Sequence, residues 1–332
     1  MPNKLILDSH WERSGDHVTV EPHILSGYLR QAGFRKMPDS LELISSGLAN
    51  TNYKISFSDY QDPFFLRLWT RDPAACMKEV HLLKQLAELP LPLSQCIHAE
   101  EDPERSLSWA VQTWLPGKPM TTVLQECHSS DIFPLYTEAA SYIPLISSIS
   151  FNHAGFINPD LSIRPFRGNE PFDYLVFLLH DPRVQELLGS RYTRSLHDLI
   201  QKHEALIKEC IEHTNLVHAD YKPANFLVSQ NETGYVLSGI VDWEFALSYD
   251  WHFDAGMLLR FENEIGEKLK PALEAGLKSS GLYPDEHWYI RAKLLDFTNL
   301  LSFMNRDPHN YSNVIRHCTE LVLWSIQRLS NI

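Results

Sequence analysis

The chain has 332 residues, of which 44% are hydrophobic, so it is long enough to bury a full core and to form two lobes. Its formal net charge of −13 excludes a general nucleic-acid binder, because phosphate contacts require a basic face. The longest apolar stretches fall well short of the roughly 20 residues that a membrane helix needs, so no membrane segment is predicted.

The cysteines and the first residues indicate the compartment. There are 5 cysteines, an odd number, and none form a C-x-x-C pair, so neither a disulfide framework nor a zinc site is predicted. The N-terminus lacks a basic segment followed by a long apolar one, which an export signal would have. We therefore expect a cytoplasmic protein, and the sequence leaves its oligomeric state open.

The first part of the chain alternates between helix and strand patterns. A proline in the first turn and a glycine at the end predict a short helix over residues 21–33. Apolar residues at helical spacing predict a second helix over residues 77–89. Strands are predicted over residues 41–45, 53–57, 63–69 and 109–115. These elements form a small mixed α/β unit, and the first 20 residues receive no assignment.

After this unit the pattern becomes mainly helical. Helices are predicted over residues 132–150, 172–188, 192–213, 265–280, 285–304 and 311–329. Short strands over residues 225–228 and 235–243 interrupt them. No linker or repeat separates the two parts of the chain. The sequence therefore predicts an α+β protein with an N-terminal lobe over residues 1–115 and a larger, mostly helical C-terminal lobe over residues 116–332.

A dense polar stretch lies between two apolar runs in the second part. It contains His218, Asp220, Lys222 and Asn225. A turn between the next two apolar runs predicts a hairpin that brings Asn225 close to Asp242. An amide oxygen and a carboxylate that converge, with positions left open for water and phosphate, are typical of Mg²⁺ sites. We therefore predict Asn225 and Asp242 as metal ligands.

The same polar stretch carries candidates for catalysis. Asp220 lies on the turn that leads into the metal site, where a carboxylate can accept a proton from a hydroxyl aligned with a bound phosphoryl group. Lys222 is predicted to stabilise the charge of the transferred phosphoryl group. His218 is predicted to brace the turn. A solvated loop would also explain such a turn, and the spacing to Asn225 and Asp242 favours catalysis.

The spacing H-x-D-x-K-x-x-N followed by I-V-D-W resembles the catalytic and metal loops of the protein-kinase-like superfamily. The D-W-E sequence and the later pair Asp250 and Asp254 resemble the aminoglycoside phosphotransferase family, which includes choline-kinase-like and other small-molecule kinases. This resemblance implies a bilobal protein-kinase-like fold, with an antiparallel sheet and one main helix in the small N-terminal lobe. It also implies that Asp254 braces the catalytic loop from the start of the next helix.

The resemblance extends in order through the N-terminal lobe. A loop between two strands corresponds to the phosphate loop of the family, although it has a single glycine. Arg67 lies where many members carry a phosphate-contacting arginine, and Glu79 matches its ion-pair partner, with a surface ion pair as the alternative. The implied cofactors are ATP, with GTP left open, and Mg²⁺. The implied nucleotide-binding residues are Ser46, Gly47, Asn50, Thr51, Arg67, Glu79, Gln112, Thr113 and Leu115.

The segment after Asp242 indicates the class of acceptor. Only 11 residues separate Asp242 from Asp254, and they contain no A-P-E sequence, which favours a small molecule over a protein. We expect an ATP-dependent kinase for a hydroxyl of a cationic, aminoglycoside-like molecule. The residues predicted to contact this acceptor are Asp250, Trp251, Glu262 and Glu264. A choline, amino-alcohol or sugar kinase is one alternative, and a nucleotide-binding pseudokinase that regulates a partner is another.

Overall fold

The computed structural model describes residues 5–45, 49–232 and 234–331. The predicted phosphate-loop residues Ser46 and Gly47 lie outside these ranges. Within the described ranges, no helix combines the length and the apolar character that crossing a membrane requires.

The N-terminal part is an antiparallel sheet between two helices. Its elements are α1 (Pro22–Gln31), β1 (Ser40–Ile44), β2 (Thr51–Ser56), β3 (Phe64–Trp69), α2 (Ala74–Leu86), β4 (Cys96–Asp102) and β5 (Leu107–Thr113). The strands pair in the order β1-β2-β3-β5-β4. Because side chains alternate across a strand, Leu66 and Leu68 pack in the apolar cluster with α1, whereas Trp69 packs on the opposite face with Cys76 of α2. Arg67 shares the face that carries α2.

The rest of the chain is mainly helical. Its elements are β6 (Lys118–Pro119), α3 (Met120–Glu126), α4 (Ser129–Ile146), β7 (Gly155–Ile157), β8 (Ile163–Pro165), α5 (Glu170–Leu179), α6 (Pro182–Lys202), α7 (Glu204–Glu209), β9 (Asn215–Val217), β10 (Phe226–Asn231), β11 (Gly234–Ile240), β12 (Leu247–Tyr249), α8 (His252–Leu258), α9 (Glu262–Ile265), α10 (Leu269–Ser279), α11 (Trp288–Met304) and α12 (Ser312–Leu329). α8 packs closely against α11 because Gly256 has no side chain. A Cβ at this position would lie only 2.2 Å from the carbonyl oxygen of Ala292.

The short strands form two small sheets within the second part of the chain. β10 pairs with β11 on one side and with β6 on the other, and β12 pairs with both β7 and β9. Gly117, just before β6, has a φ of 121°, and a Cβ there would lie 2.6 Å from the carbonyl oxygen of Val228. Glycine is therefore required where the connection after β5 lies against the hairpin of β10 and β11.

The predicted α+β class is confirmed, and the elements differ from the prediction in several places. α3, α8, α9 and the short strands β6, β7, β8, β9 and β12 were not predicted, and the helix predicted over residues 192–213 is divided between α6 and α7. The helix predicted over residues 172–188 is divided between α5 and α6. Asp181 accepts hydrogen bonds from the backbone N–H groups of Arg183 (2.9 Å) and Val184 (3.3 Å), and Pro182 follows at the first helical position, so a new helix begins there. β4 was not predicted, because its sequence CIHAEED has too few apolar residues for a strand pattern.

Candidate active site

The polar stretch forms a turn between β9 and a 3-10 turn at Pro223–Asn225. The carboxylate of Asp254, in the first turn of α8, accepts hydrogen bonds from the backbone N–H groups of His218 (2.8 Å) and Ala219 (2.9 Å). Ala219 has a φ of 63°, in the left-handed region, which is unfavourable for alanine and needs such support. Burial raises the pKa of Asp254 to about 7, and the two donors oppose the rise. Asp254 thus ties α8 to the turn.

The imidazole of His218 is buried beneath the turn. Its Nδ1 accepts a hydrogen bond from the backbone N–H of Asp220 (3.2 Å), so its Nε2 donates to the carbonyl oxygen of Val241 (3.0 Å). Burial lowers the pKa of His218, which favours the neutral imidazole that these two bonds require. His218 therefore links the turn to the end of β11.

Asp220 and Lys222 form a close pair at the cleft. Oδ2 of Asp220 accepts a hydrogen bond from Nδ2 of Asn225 (2.7 Å), and Oδ1 lies 3.3 Å from Nζ of Lys222. The ammonium of Lys222 also lies 3.6 Å from Oδ2 of Asp8. Burial alone would lower the pKa of Lys222, but the charges of Asp220 and Asp8 outweigh burial and raise this pKa. Lys222 is therefore a charged group beside the Asp220 carboxylate.

The predicted hairpin forms and places Asn225 beside Asp242. Phe226 of β10 is opposite Ile240 of β11, and the backbone N–H of Val241 donates to the carbonyl oxygen of Asn225 (3.0 Å). Asp242 follows in a left-handed conformation with φ 73° and ψ 57°. The side chains of Asn225 and Asp242 both line the cleft.

Carboxylates surround the buried guanidinium of Arg67. Its Nη1 lies 3.3 Å from Glu79, and its Nη2 lies 2.5 Å from Asp242 and 3.4 Å from Glu244. Burial alone would lower the pKa of Arg67, but these three carboxylates outweigh burial and raise it. Burial also raises the pKa of Glu79 to about 7, against the effect of Arg67. Arg67 thus connects α2 with the end of the hairpin.

Asn225 and Asp242 fit a divalent cation that is held only partly by protein groups. Clusters of three or more His, Cys, Asp or Glu side chains suited to a metal do not occur within residues 5–45, 49–232 and 234–331. Mg²⁺ is usually bound by one or two protein groups together with phosphates and water, so a smaller set suffices. Burial opposes ionisation of Asp242, but Arg67 outweighs burial and lowers the pKa of Asp242. A carboxylate is therefore present at this position for a metal.

These side chains line a cavity of about 530 Å³ between the two parts of the chain. Its floor contains Asp220, Lys222, Asn225 and Asp242. One side, which we call the sheet wall, is formed by Ile44, Phe65, Gln112, Thr113, Trp114, Leu115, Leu227 and Ile240. Asn50, Arg67 and Glu79, also predicted for the nucleotide, belong to the lining. Thr51 does not, because its side chain accepts a hydrogen bond from the backbone N–H of Val18 (2.9 Å).

The opposite side of the cavity, which we call the helical wall, was not found from the sequence. It is formed by Trp11, Glu12, Asn299, Ser302, Phe303, Arg306 and Val314. The rings of Trp11 and Phe303 meet edge to face with centres 5.0 Å apart. The carboxylate of Glu12 accepts hydrogen bonds from the backbone N–H groups of Asn313 (2.7 Å) and Val314 (3.1 Å), which caps α12.

The helical wall includes an N-terminal segment, residues 5–13, that lies against the C-terminal helices. Leu7 is fully buried in their core. Glu264 accepts hydrogen bonds from the backbone N–H groups of Ile6 (2.6 Å) and Leu7 (3.1 Å). The indole N–H of Trp11 donates to Nδ1 of His317 (3.2 Å). The signal for this packing was the apolar run Leu5, Ile6 and Leu7, followed by Trp11, in a mostly polar start.

Two of the residues predicted to contact the acceptor lie beside α8 and outside the cavity lining. Asp250 is 1% exposed and accepts a hydrogen bond from the backbone N–H of His252 (2.9 Å). The ring of Trp251 stacks on the imidazole of His252, with centres 3.7 Å apart. Both side chains therefore have partners within the C-terminal part.

The other two predicted acceptor residues also lie outside the lining. Glu262 is 2% exposed, accepts a hydrogen bond from the hydroxyl of Tyr289 (2.7 Å) and lies 3.6 Å from Nζ of Lys293. Glu264 binds the N-terminal segment and His317. A carboxylate buried this deeply needs internal partners, and acidic residues near a motif do not show by themselves which face they occupy.

Solved structures show the same fold. The GDP complex of wild-type aminoglycoside 2'-phosphotransferase-IIIa matches with a TM-score of 0.70 and 15% identity, over 92% of this chain and 98% of that chain. A thermostable mutant of aminoglycoside phosphotransferase APH(4)-Ia, in ternary complex with ADP and hygromycin B, matches with a TM-score of 0.63 and 14% identity, over 90% of this chain and 97% of that chain. The GDP and kanamycin complex of APH(2")-IIIa matches with a TM-score of 0.69 and 16% identity, over 94% and 100%. At such identities the likeness concerns the fold.

The sequence itself also matches a known family. No curated protein matches it. The family model described as the phosphotransferase enzyme family matches residues 40–289, which is well over half of the chain and includes Arg67, the polar turn and Asp254. The chain therefore belongs to the phosphotransferase enzyme family, which confirms the family and the enzyme class predicted from its motifs.

Proposed function

We propose that this protein transfers the γ-phosphoryl group of a nucleoside triphosphate to a hydroxyl group of a small molecule. The observation that carries the proposal is the floor of the cavity, where the Asp220 carboxylate is held by Asn225 and Lys222 beside Asp242. In this proposal residues 1–115 supply the nucleotide lobe and residues 116–332 the catalytic lobe. The N-terminal segment is an exception, because it packs with the catalytic lobe.

Asp220 is the base in this proposal. The acceptor oxygen attacks the γ-phosphorus, the bond to the oxygen that bridges the β- and γ-phosphates breaks, and the hydroxyl proton passes to Asp220. The hydrogen bond from Asn225 orients the carboxylate. Lys222, 3.3 Å from Asp220, is placed to stabilise the negative charge of the phosphoryl group. His218 and Asp254 keep the turn in its left-handed conformation.

The nucleotide is assigned to the sheet wall. Apolar side chains on both sides of residues 112–115 suit a flat base, and the backbone of these residues would bind it. Arg67 and Asn50 lie toward the floor, where Arg67 would bind phosphate oxygens while Glu79 holds its guanidinium. ATP is our first expectation. The relatives above were solved with ADP or with GDP, so GTP is the alternative donor.

Asn225 and Asp242 would hold Mg²⁺. At this position the ion would supply positive charge to offset the charge that develops on the leaving group. Nη2 of Arg67 lies 2.5 Å from Asp242, so the guanidinium and the ion would share this carboxylate. Glu79 and Glu244, at 3.3 and 3.4 Å, remain as alternative partners for Arg67.

The acceptor is assigned to the helical wall. The short segment between Asp242 and Asp254 supports a small molecule, and the similar structures titled with hygromycin B and kanamycin belong to kinases of small molecules. The geometry gives no support to a cationic acceptor bound by Asp250, Glu262 and Glu264, since these carboxylates lie outside the lining. The chemistry of the acceptor therefore has to be argued from the helical wall itself.

Replacement of the base tests the proposal. Asp220→Asn is expected to lower turnover by about 10²–10⁴-fold, the usual contribution of a general base, without abolishing nucleotide binding. ADP release and product mass would be measured over a panel of hydroxylated amines, sugars and acids, and nucleotide binding by calorimetry. The matched control is Asp198→Asn, an exposed change on α6. Full activity of Asp220→Asn would refute the role of Asp220, and tight nucleotide binding without transfer to any compound would favour a regulatory protein.

A further inference from the structure

The chemistry of the helical wall identifies a class of acceptor, an inference that rests on the proposed function. Two arginines line the cavity: Arg306, two residues after α11, and Arg71, just after β3. Burial lowers the pKa of Arg306; Tyr311 opposes this effect, and the positive charge of Arg71 adds to it. An anionic ligand bound at these arginines would favour the charged form of Arg306.

Aromatic rings hold both arginines by their faces. The Cζ atom of Arg306 lies 4.4 Å from the ring centre of Phe303 and 5.0 Å from that of Tyr311. The Cζ atom of Arg71 lies 5.2 Å from the ring centre of Phe245. A stacked guanidinium keeps its N–H groups directed outward from its edge, in the fork that matches a carboxylate or a phosphate. The stacking therefore prepares both side chains to donate hydrogen bonds.

The acidic groups near the helical wall already have partners. Glu12 caps α12, and Asp8 lies beside Lys222. Glu244 lies 3.2 Å from Arg71 and 3.4 Å from Arg67. In contrast, no carboxylate of the described residues lies within 4.0 Å of Arg306. Within the part of the chain that the structure describes, Arg306 therefore has no neutralising carboxylate, whereas Arg71 is paired with Glu244.

Asn299 provides an independent observation. It lies on α11, less than two turns before Arg306, and lines the same wall. Its Nδ2 is buried, and no hydrogen-bond acceptor for it is found in the described parts of the chain. A buried donor without an acceptor costs free energy, which a bound ligand can recover. Like the arginines, this group requires an acceptor atom from the ligand.

We propose that the acceptor carries, besides its hydroxyl, an anionic group such as a carboxylate or a phosphate, which Arg306, Arg71 and Asn299 bind. The hydroxyl then lies toward Asp220, and the aromatic pair of Trp11 and Phe303 covers the part of the molecule between the two groups. This assignment replaces the expectation of a cationic acceptor. It would also give the buried Nδ2 of Asn299 the acceptor that it lacks among the described residues.

Matched pairs of compounds test this inference. Glycerate and glycerol, gluconate and glucitol, and serine and ethanolamine differ by the presence of a carboxylate. Transfer from ATP would be measured as kcat/KM for each compound, and binding would be followed by thermal shift with a non-hydrolysable ATP analogue and Mg²⁺ present. We expect the anionic member of at least one pair to be preferred by about 10- to 100-fold, the scale of hydrogen bonds to charged groups.

Three variants locate the effect. Arg306→Gln and the isosteric Asn299→Asp are expected to lower kcat/KM for the anionic member by about 10-fold or more, and by much less for the neutral member. Arg316→Gln, an exposed change on α12, is the matched control and should leave both members unaffected. Melting temperatures of all three variants would show that the fold is intact. Asn299→Asp changes no volume, so it remains informative if Arg306→Gln is unstable.

The outcomes separate this inference from the proposed function. Equal kcat/KM for both members of every pair, without anion-dependent binding, overturns the inference and leaves the phosphotransferase proposal intact. An increase in the KM for ATP in Arg306→Gln, as large as the loss for the acceptor, also overturns it, because the arginine would then bind the nucleotide. Binding of the anionic members that depends on Arg306, with no phosphate transferred to any compound, supports the anion site and refutes the proposed function.

Discussion

The sheet wall and the helical wall face the same cavity but are built in different ways. The floor comes from one turn and the adjoining hairpin, whose polar groups lie close together in the sequence, and the sheet wall adds strands of the N-terminal part that match family motifs in order. The helical wall combines the N-terminal segment with the end of α11 and the start of α12, about 300 residues further along the chain. Sequence motifs therefore reveal the floor and the sheet wall, whereas the helical wall exists only through tertiary packing.

The comparison indicates different functions for the floor and for the helical wall. The polar groups at the floor are already bonded to one another, as in Asp220 with Asn225 and Arg67 with Asp242, which suits a reaction common to a family. Among the described residues, the helical wall has an arginine with no carboxylate within 4.0 Å and a buried donor with no acceptor, which suits a particular ligand. Variants of the floor and the sheet wall should therefore change nucleotide affinity, the dependence on Mg²⁺ and turnover. Variants of the helical wall should change the KM for the acceptor.

The largest effect is expected at the floor. Asp242→Asn removes a negative ligand from the proposed metal site and leaves Arg67 with fewer partners, so turnover should fall by about 10³-fold. Excess Mg²⁺ should restore part of the activity, because the amide still offers an oxygen. Turnover as a function of Mg²⁺ concentration would be compared with that of Asp198→Asn, the exposed control on α6. A normal Mg²⁺ dependence in Asp242→Asn would contradict the proposed metal site.

Lys222 lies where the floor meets the helical wall, between Asp220 and Asp8. Its replacement tests whether it acts on the phosphoryl group or binds the nucleotide. Lys222→Ala removes the charge beside the phosphoryl group, so we expect turnover to fall by about 10- to 100-fold while nucleotide affinity changes less than about 3-fold. Stopped assays for turnover and calorimetry for nucleotide would measure the two effects. Lys202→Ala, an exposed change at the end of α6, serves as the control. A variant that lost affinity alone would show that Lys222 binds the nucleotide.

Two tryptophans on opposite walls provide a crossed comparison. Trp11→Phe keeps an aromatic ring in the helical wall but loses the hydrogen bond to His317, so the KM of the acceptor should rise by about 3- to 10-fold. Trp114→Phe changes the sheet wall and should raise the KM of the nucleotide by a similar factor. Steady-state kinetics with each substrate varied in turn would check both. If both variants changed the same KM, the assignment of the walls would be wrong.

The motifs and the fold class could be predicted from the sequence because they depend on neighbours along the chain. The hairpin is an example, since its turn and flanking apolar runs fix the approach of Asn225 to Asp242. The side on which Glu262 and Glu264 lie could not be predicted, because it depends on contacts with Tyr289, Lys293 and the N-terminal segment. Trp11 was missed for the same reason, as its partners are about 300 residues away.

The smallest effect concerns stability and follows from the buried charges behind the sheet wall. Burial raises the pKa of Glu79 from 4.5 to about 7, so between these pH values the folded protein retains a proton that the unfolded chain has lost. The group therefore stabilises the fold at low pH, and its contribution falls as the pH rises through about 7. Glu79→Gln removes this titration, and the free energy of unfolding should decline less steeply between about pH 5 and pH 7.5, by on the order of 1–3 kcal/mol.

Urea unfolding at several pH values would measure the slopes for the wild-type protein and for Glu79→Gln. Glu88→Gln, an exposed change shortly after α2, is the matched control and should keep the wild-type slope. Arg67 loses one of its three carboxylates in Glu79→Gln, which lowers stability at every pH, so the slope rather than the absolute value tests the prediction. Identical slopes for all three proteins would show that Glu79 is ionised throughout, and that Arg67 compensates its burial fully.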